Sequence, residues 1–362
     1  MTRLTQLRLG TFSGAALSLR DALARHTEVR DVELSPFARR ARLVPARAAA
    51  TVSARVGRPR VPWTRTSIWP RALQQELERV GILAAGTPIL CIGTWLALVP
   101  DPDVCYWIYT DRPALEGRRG DRRYTTSSRR GWLTREAAFL RGARGVFLTG
   151  ESSVEVLVED YGIEADRISV VGAAPNTDLV VGEFRAECRR FLFVGREWER
   201  KGGPDLLAAF TSVRADEPAT TLEIVGCEPP APLPDGVVVG GRIPHEEMAP
   251  VFARADALVL PSYHEATPFV ILEALMQGIP VVGTTVGNVP SMVGDAGVCV
   301  RPGRPDELAE ALRSMVTDHG RFRRLAVERG RALSTTQNWD TIALRMLDQV
   351  FEPPRLSAGR TP

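Results

Sequence analysis

The sequence predicts an α/β fold built from two doubly wound domains, each a parallel sheet covered by helices on both faces. Three observations lead there. Short, almost continuously apolar runs alternate with helical patterns, as expected of strands buried on both faces. The alternation starts afresh near residue 187, with cleaner boundaries. The chain has 362 residues, more than one core usually fills, so two domains of comparable size are expected.

In the first half, TQLRLGTF reads as a strand, SGA as a tight turn and ALSLRDALARH as an amphipathic helix; VRDVELS is the next strand. Residues 38–66, rich in Arg, Ala and Pro, are not placed by any pattern. RALQQELERVG is helical, PILCIG and VCYWIYT are apolar strands, and LTREAAFLRGA is a helix. GVFLTG, SSVEVLVEDYG and RISVVG continue as strand, helix and strand. In the second half, FLFVG, TLEIVG, GVVVGG, ALVLPS and PVVGT are strands, separated by the helices PDLLAAFTSVRA, HEEMAPVFARA and PFVILEALMQ. DELAEALRSMV, GRFRRLAVERGRAL and WDTIALRMLDQVF follow as helices, and the tail PPRLSAGRTP reads as disordered. The expected division is a first domain over 1–186, a second over 187–336, a helix at 337–352 returning to the first domain, and a tail at 353–362.

Composition narrows the function. A hydrophobic fraction of 44% and a charged fraction of 25% are those of an ordinary globular chain. The uncharged stretch 80–100 is broken by Gly81, Gly86, Pro88 and Gly93, so it reads as a buried strand with loops rather than a membrane span. Five widely spaced cysteines without a CxxC pair argue against a zinc site and a disulfide framework, and suit a reducing, cytoplasmic setting. Residues 1–186 carry 27 basic and 20 acidic groups, the remainder 19 and 23. A basic first half suits an anionic acceptor or the inner face of an anionic membrane, and a solvated arginine-rich face explains it equally well. The arginines are dispersed and no nucleic-acid motif accompanies them, so no nucleic-acid partner is expected.

The chemistry concentrates in two segments. Among 46 basic residues, Lys201 in FLFVGREWERKGGPDLLAAF is the lone lysine. Arg196 follows an apolar strand directly, and Lys201 precedes Gly202, Gly203 and a helix opened by Pro204. Two cations at one strand-to-helix turn suit a diphosphate, with Arg forking two oxygens and Lys supplying a compact charge. Where a chain otherwise uses arginine throughout, a surviving lysine marks a place that a guanidinium does not fit, although chance alone also puts a lone lysine somewhere. In LPSYHEATPFVILEALMQGIPVV, Thr267 is the expected N-cap and Pro268 the first residue of a helix stopped by Gly278 and Pro280. Glu265 then lies at the helix entrance and Glu273 inside it. Helix-entrance amides attract phosphate, and carboxylates accept hydrogen bonds from sugar and ribose hydroxyls, so a nucleotide sugar meets both demands.

These two segments, in this order, resemble the family 4 retaining glycosyltransferases of group 1, which have the GT-B fold: two Rossmann-like, doubly wound parallel-sheet domains facing a central cleft. VGREWERKGGPDLLAAF resembles the family's VGR-x4-KG-x-D-x-LL-x-AF segment and EATPFVILE its E-x7-E motif. The likeness covers residues 145–340 and is thin before them. It implies that Arg196 and Lys201 hold the donor diphosphate, Glu273 the ribose and Glu265 the donor sugar. It adds contacts from the amides of Thr267, Phe269 and Val270, from Gly14 in the first βα turn, and from Gly226, Arg242 and Ile243 around the base. The first loop is SGAA where the family often has two glycines, and Glu265 is followed by Ala-Thr rather than glycine and an aromatic. Many members place a histidine near the transferred sugar; here only His26 precedes residue 186, so Asp111 in WIYTDRP is the acceptor-side candidate, with a turn role equally consistent.

The reaction implied is transfer of a sugar from a nucleoside-diphosphate donor to a glycan, lipid-linked or small-molecule hydroxyl, in bacterial polysaccharide or glycoconjugate synthesis. Retention of configuration is implied, with no cofactor and no metal. The DPD triplet at 101–103 formally matches a metal-binding signature, but Pro102 makes a turn more natural. The competing readings are a non-catalytic nucleotide-sugar-binding subunit and a GT-B nucleotide-sugar epimerase. A dehydrogenase is disfavoured because GTFSGA has the wrong glycine spacing.

Overall fold

A computed structural model of the chain describes residues 3–8, 14–34, 68–83, 86–96, 98, 100–114, 127–176, 185 and 187–351. Residues 38–66 and the tail at 353–362 lie outside the described residues. Two compact units are present, Met1–Gly172 with Trp339–Pro362, and Ala173–Asn338. The first stretch closes at Gly172, earlier than the sequence boundary at 186. Gly172 has φ +92° and its carbonyl accepts the buried Tyr109 hydroxyl at 2.9 Å, so it still belongs to the first core.

In the first unit, β1 (Arg3–Arg8), β2 (Glu28–Glu33), β3 (Ile89–Ile92), β4 (Tyr106–Thr110), β5 (Gly145–Leu148) and β6 (Ile168–Val170) form one parallel sheet in the order β2-β1-β3-β4-β5-β6. The described helices between them are α1 (Ala15–Ala24), α2 (Ile68–Arg79), α3 (Ser127–Gly142) and α4 (Val154–Glu159). Every residue of β3, β4 and β5 is buried, which is why their sequences are unbroken apolar runs rather than alternating ones. Trp69, Leu73 and Leu77 recur at four-residue spacing on α2 and pack into the same core as Cys91, Ile108 and Val146.

The second unit contains β7 (Arg190–Val194), β8 (Thr221–Val225), β9 (Val237–Gly241), β10 (Ala257–Leu260), β11 (Val281–Thr284) and β12 (Gly297–Val300). They lie parallel in the order β12-β11-β10-β7-β8-β9. Its helices are α5 (Gly203–Asp216), α6 (Met248–Ala253), α7 (Phe269–Met276), α8 (Val289–Val293), α9 (Pro305–Thr317) and α10 (His319–Thr336). Successive strand residues feed different cores. Leu192, Leu258 and Val281 pack with residues of α6, α7, α8 and α10, while Phe191, Phe193, Val259 and Val282 pack with α5 and α9. The sheet is therefore covered on both faces, by the period-two rule for side chains along a strand. The short strand β12 and the five-residue α8 are absent from the sequence reading.

The last helix, α11 (Trp339–Phe351), packs against α1 within the first unit. Arg25 pairs with Asp340 at 2.7 Å, Ser169 donates to Gln349 at 2.9 Å, and Arg345 donates to the Val171 carbonyl at 3.1 Å. In both sheets the strand order reverses direction once, between β1 and β3 and between β7 and β10. Loops leaving the carboxyl ends of such a strand pair diverge, and that divergence leaves room for a ligand.

Candidate active site

The loops leaving β7 and β10 are packed directly on one another. Gly202 has φ +73°, and a Cβ placed there would lie 2.0 Å from the Pro261 carbonyl oxygen. At Gly203 a Cβ would lie 2.2 Å from the Trp198 ring, which itself meets Phe193 edge-on at 5.6 Å. The pair Gly202-Gly203 thus permits two close approaches at once. The Tyr263 amide donates to the Arg200 carbonyl at 3.0 Å, and the Tyr263 hydroxyl to Asp205 at 2.7 Å. Burial and that carboxylate push the Tyr263 hydroxyl up to about 12, so it stays a donor.

This packing brings Lys201 and Glu265 together, 64 positions apart in sequence. Lys201 Nζ donates to Glu265 Oε1 at 2.5 Å, Ser262 Oγ to the same oxygen at 2.8 Å, and Arg200 Nη1 to it at 3.4 Å. The Lys201 and Glu265 side chains are only 12% and 8% exposed. Among the described residues all three donors converge on Oε1, and Oε2 receives none. Arg200 also donates to the His264 carbonyl at 2.7 Å and pairs with Glu197. Burial works against the Arg200 charge, but Glu197 and Glu265 outweigh it and raise its pKa. The sequence reading put Lys201 and Glu265 in separate constellations and overlooked Arg200 and Ser262.

Arg196 is exposed just beyond the carboxyl end of β7, with no hydrogen bond or ion pair to another described residue. Glu273 is buried on α7, and His245 Nε2 lies 3.7 Å from its Oε1. His245, from the loop after β9, was also missed; its only sequence cue is its place two residues after Ile243. Arg242 is exposed, and Ile243 is half-buried against the core containing Leu192 and Val225. Gly226, immediately after β8, has φ +98°, and a Cβ there would lie 2.8 Å from the Gly195 carbonyl oxygen.

Thr267 is not the N-cap expected of it. Helix α7 begins at Phe269 with Pro268 as its N-cap, and no side chain caps it. Thr267 Oγ1 instead accepts the Asn288 amide at 2.8 Å, so the hydroxyl is spent on joining the β10 and β11 loops. The Asn288 backbone amide donates to the Ala266 carbonyl at 2.9 Å, which fixes the chain between Glu265 and α7. Phe269 and Val270 are half-buried at the head of α7, where first-turn amides have no intrahelical acceptor.

In the first unit, Gly14 is the N-cap of α1 with φ +89°, a left-handed conformation suited to glycine. Asp111 follows β4, and its Oδ1 accepts the Arg112 amide at 2.8 Å, a turn-forming contact. The DPD triplet lies ahead of β4, at the amino-terminal edge, and Asp101 Oδ1 closes its own turn on the Asp103 amide at 3.0 Å.

The family model described as Glycosyl transferases group 1 matches residues 188–318. Glycogen synthase of Mycobacterium tuberculosis is 30% identical over 233 residues, which are 59% of this chain and 53% of that protein. The chain thus spans about half the length of that curated relative. Sucrose-phosphate synthase (tll1590) from Thermosynechococcus elongatus superposes with a TM-score of 0.72 at 18% identity, over 97% of this chain and 99% of the other. Anabaena Alr3699/HepE in complex with UDP-glucose does so with 0.70 at 15% identity, over 97% and 100%. These two likenesses are of fold, and the two parallel six-stranded sheets are those of a GT-B protein. Residues 188–318 thus match the model of the group 1 glycosyl transferases, the family that the sequence resembles.

Proposed function

We propose that the chain transfers a sugar from a nucleoside-diphosphate sugar to the hydroxyl of a glycan, lipid-linked or small-molecule acceptor, with retention of configuration and without a metal. The observation that carries this reading is the largely enclosed Lys201–Glu265 contact at the β7/β10 switch point, beside the head of α7. As the glycosidic bond breaks, its electron pair stays on the diphosphate, and fixed positive groups there lower the barrier. Arg196 and Lys201 fill that role. An ammonium has three N–H donors, so Lys201 keeps Glu265 with one and offers the others to phosphate oxygens. Glu265, held through Oε1, presents Oε2 to a sugar hydroxyl, and Glu273 takes the ribose. A relative of this fold is known with UDP-glucose, which supports the donor class. The retaining outcome rests on the E-x7-E resemblance.

The test is calorimetric titration with UDP, GDP, ADP and their common sugars, followed by a transfer assay with the donor that binds. One nucleotide is expected to bind, and Glu273→Ala to weaken it about tenfold or more. Unchanged affinity in that variant removes the ribose role; binding without turnover for any acceptor favours a non-catalytic subunit.

We further infer a cytoplasmic protein that meets an anionic membrane surface through the basic excess of residues 1–186. All five cysteines are unpaired, and no helix of the described residues is long and apolar enough to cross a membrane. Co-sedimentation with phosphatidylglycerol vesicles, weakening as salt is raised, is the expected result. Absence of the chain from the pellet at low salt rejects the membrane role.

A further inference from the structure

The first sheet has its own switch point, between β1 and β3, and a ligand of the first unit belongs at the carboxyl ends of those strands. The turn that follows β3, Thr94–Leu96, carries Trp95 there. Trp95 is 41% exposed, and among the described residues it is the one exposed Trp, Tyr or Phe. The others of that size class are Val158, Val238, Val239 and Leu344.

Trp95 is exposed yet fixed. Its ring stacks on Trp132 at 6.4 Å between centroids, with the planes 25° apart. The fully buried Trp69 donates its indole N–H to the Trp95 carbonyl at 3.1 Å. Gly93 has φ +81°, and a Cβ at that position would lie 2.9 Å from Trp95 Cδ1. Trp132 thus stacks on this indole, Trp69 fixes its backbone and Gly93 leaves it room, none of which a chance surface side chain requires.

We propose that Trp95 is the platform on which the acceptor lies, and that the acceptor presents a pyranose ring there. The aromatic face is electron-rich, whereas one face of a pyranose is a patch of C–H bonds bearing partial positive charge, with its hydroxyls at the rim. Stacking hides both apolar faces and leaves the hydroxyls wet. The word acceptor rests on the transfer reading above; the sugar platform itself does not.

The test uses the full chain labelled with 15N at its seven tryptophan indoles. The signal missing from Trp95→Phe identifies Trp95. Methyl α-D-glucopyranoside, methyl α-D-mannopyranoside and maltotriose are titrated in, with glycerol and mannitol as acyclic controls. At least one pyranoside is expected to move the Trp95 signal saturably, while the acyclic polyols leave it in place. Trp95→Ala is expected to weaken that sugar by about tenfold and to leave nucleotide affinity within about twofold, with Trp95→Phe in between. A Trp95 signal unmoved by all three sugars, or moved equally by mannitol, overturns the platform. If the signal moves but no nucleotide binds, the platform stands and the transfer reading fails; nucleotide binding with an unmoved signal is the converse.

Discussion

Lys201→Arg is expected to leave the chain folded and to lower transfer about a hundredfold or more, the order associated with losing one preorganised charge contact. The reason is local. Arg200 already reaches Glu265 Oε1, and Lys201 Nζ sits 2.5 Å from the same atom in a space that leaves its side chain 12% exposed. A Cβ at Gly195 would come within 3.0 Å of Lys201 Cγ, so the stem too is closely walled. A planar guanidinium cannot share that oxygen with a second one and also turn toward a phosphate. Steady-state kinetics with a melting curve provide the check. Parental rates in the arginine variant would make the lone lysine an accident of composition.

Glu265→Ala is expected to cost both turnover and fold, the latter by about 3–5 kcal/mol, the scale for breaking a buried ion pair from one side. Lys201 loses its acceptor in a nearly closed space, and Ser262 and Arg200 lose theirs; Arg200 retains Glu197. Glu265→Gln keeps an acceptor oxygen in the same place, so it should recover part of the stability while turnover stays low. Denaturant unfolding of the three proteins alongside a transfer assay separates these effects. An alanine variant as stable as the parent rules out a stabilising role for the pair.

Much of this was legible because each sheet is buried on both faces, which writes β3, β4, β7, β10 and β11 into the sequence as short apolar words. The strand GVCV and helix VPSMV were not, since four or five residues carry no period. The head of α7 was misread by one residue because Thr-Pro looks like a cap when taken locally; the distant Asn288 claims the hydroxyl. What sequence could not report was approach. Lys201 and Glu265 each stood out by context, but nothing local says they touch. Arg200 was hidden among the other arginines, and His245 and Trp95 matter only through the strands their loops follow. Asp111, named for chemistry, has an oxygen committed to its own turn.

The placement of α11 bears on biosynthesis. The first unit needs a segment that is translated after the whole of Ala173–Asn338 has emerged. The later-made unit is continuous and can mature as it emerges, while the earlier one must wait for Trp339–Phe351 to cover α1. A premature stop near residue 338 therefore damages the half of the protein that was synthesised first.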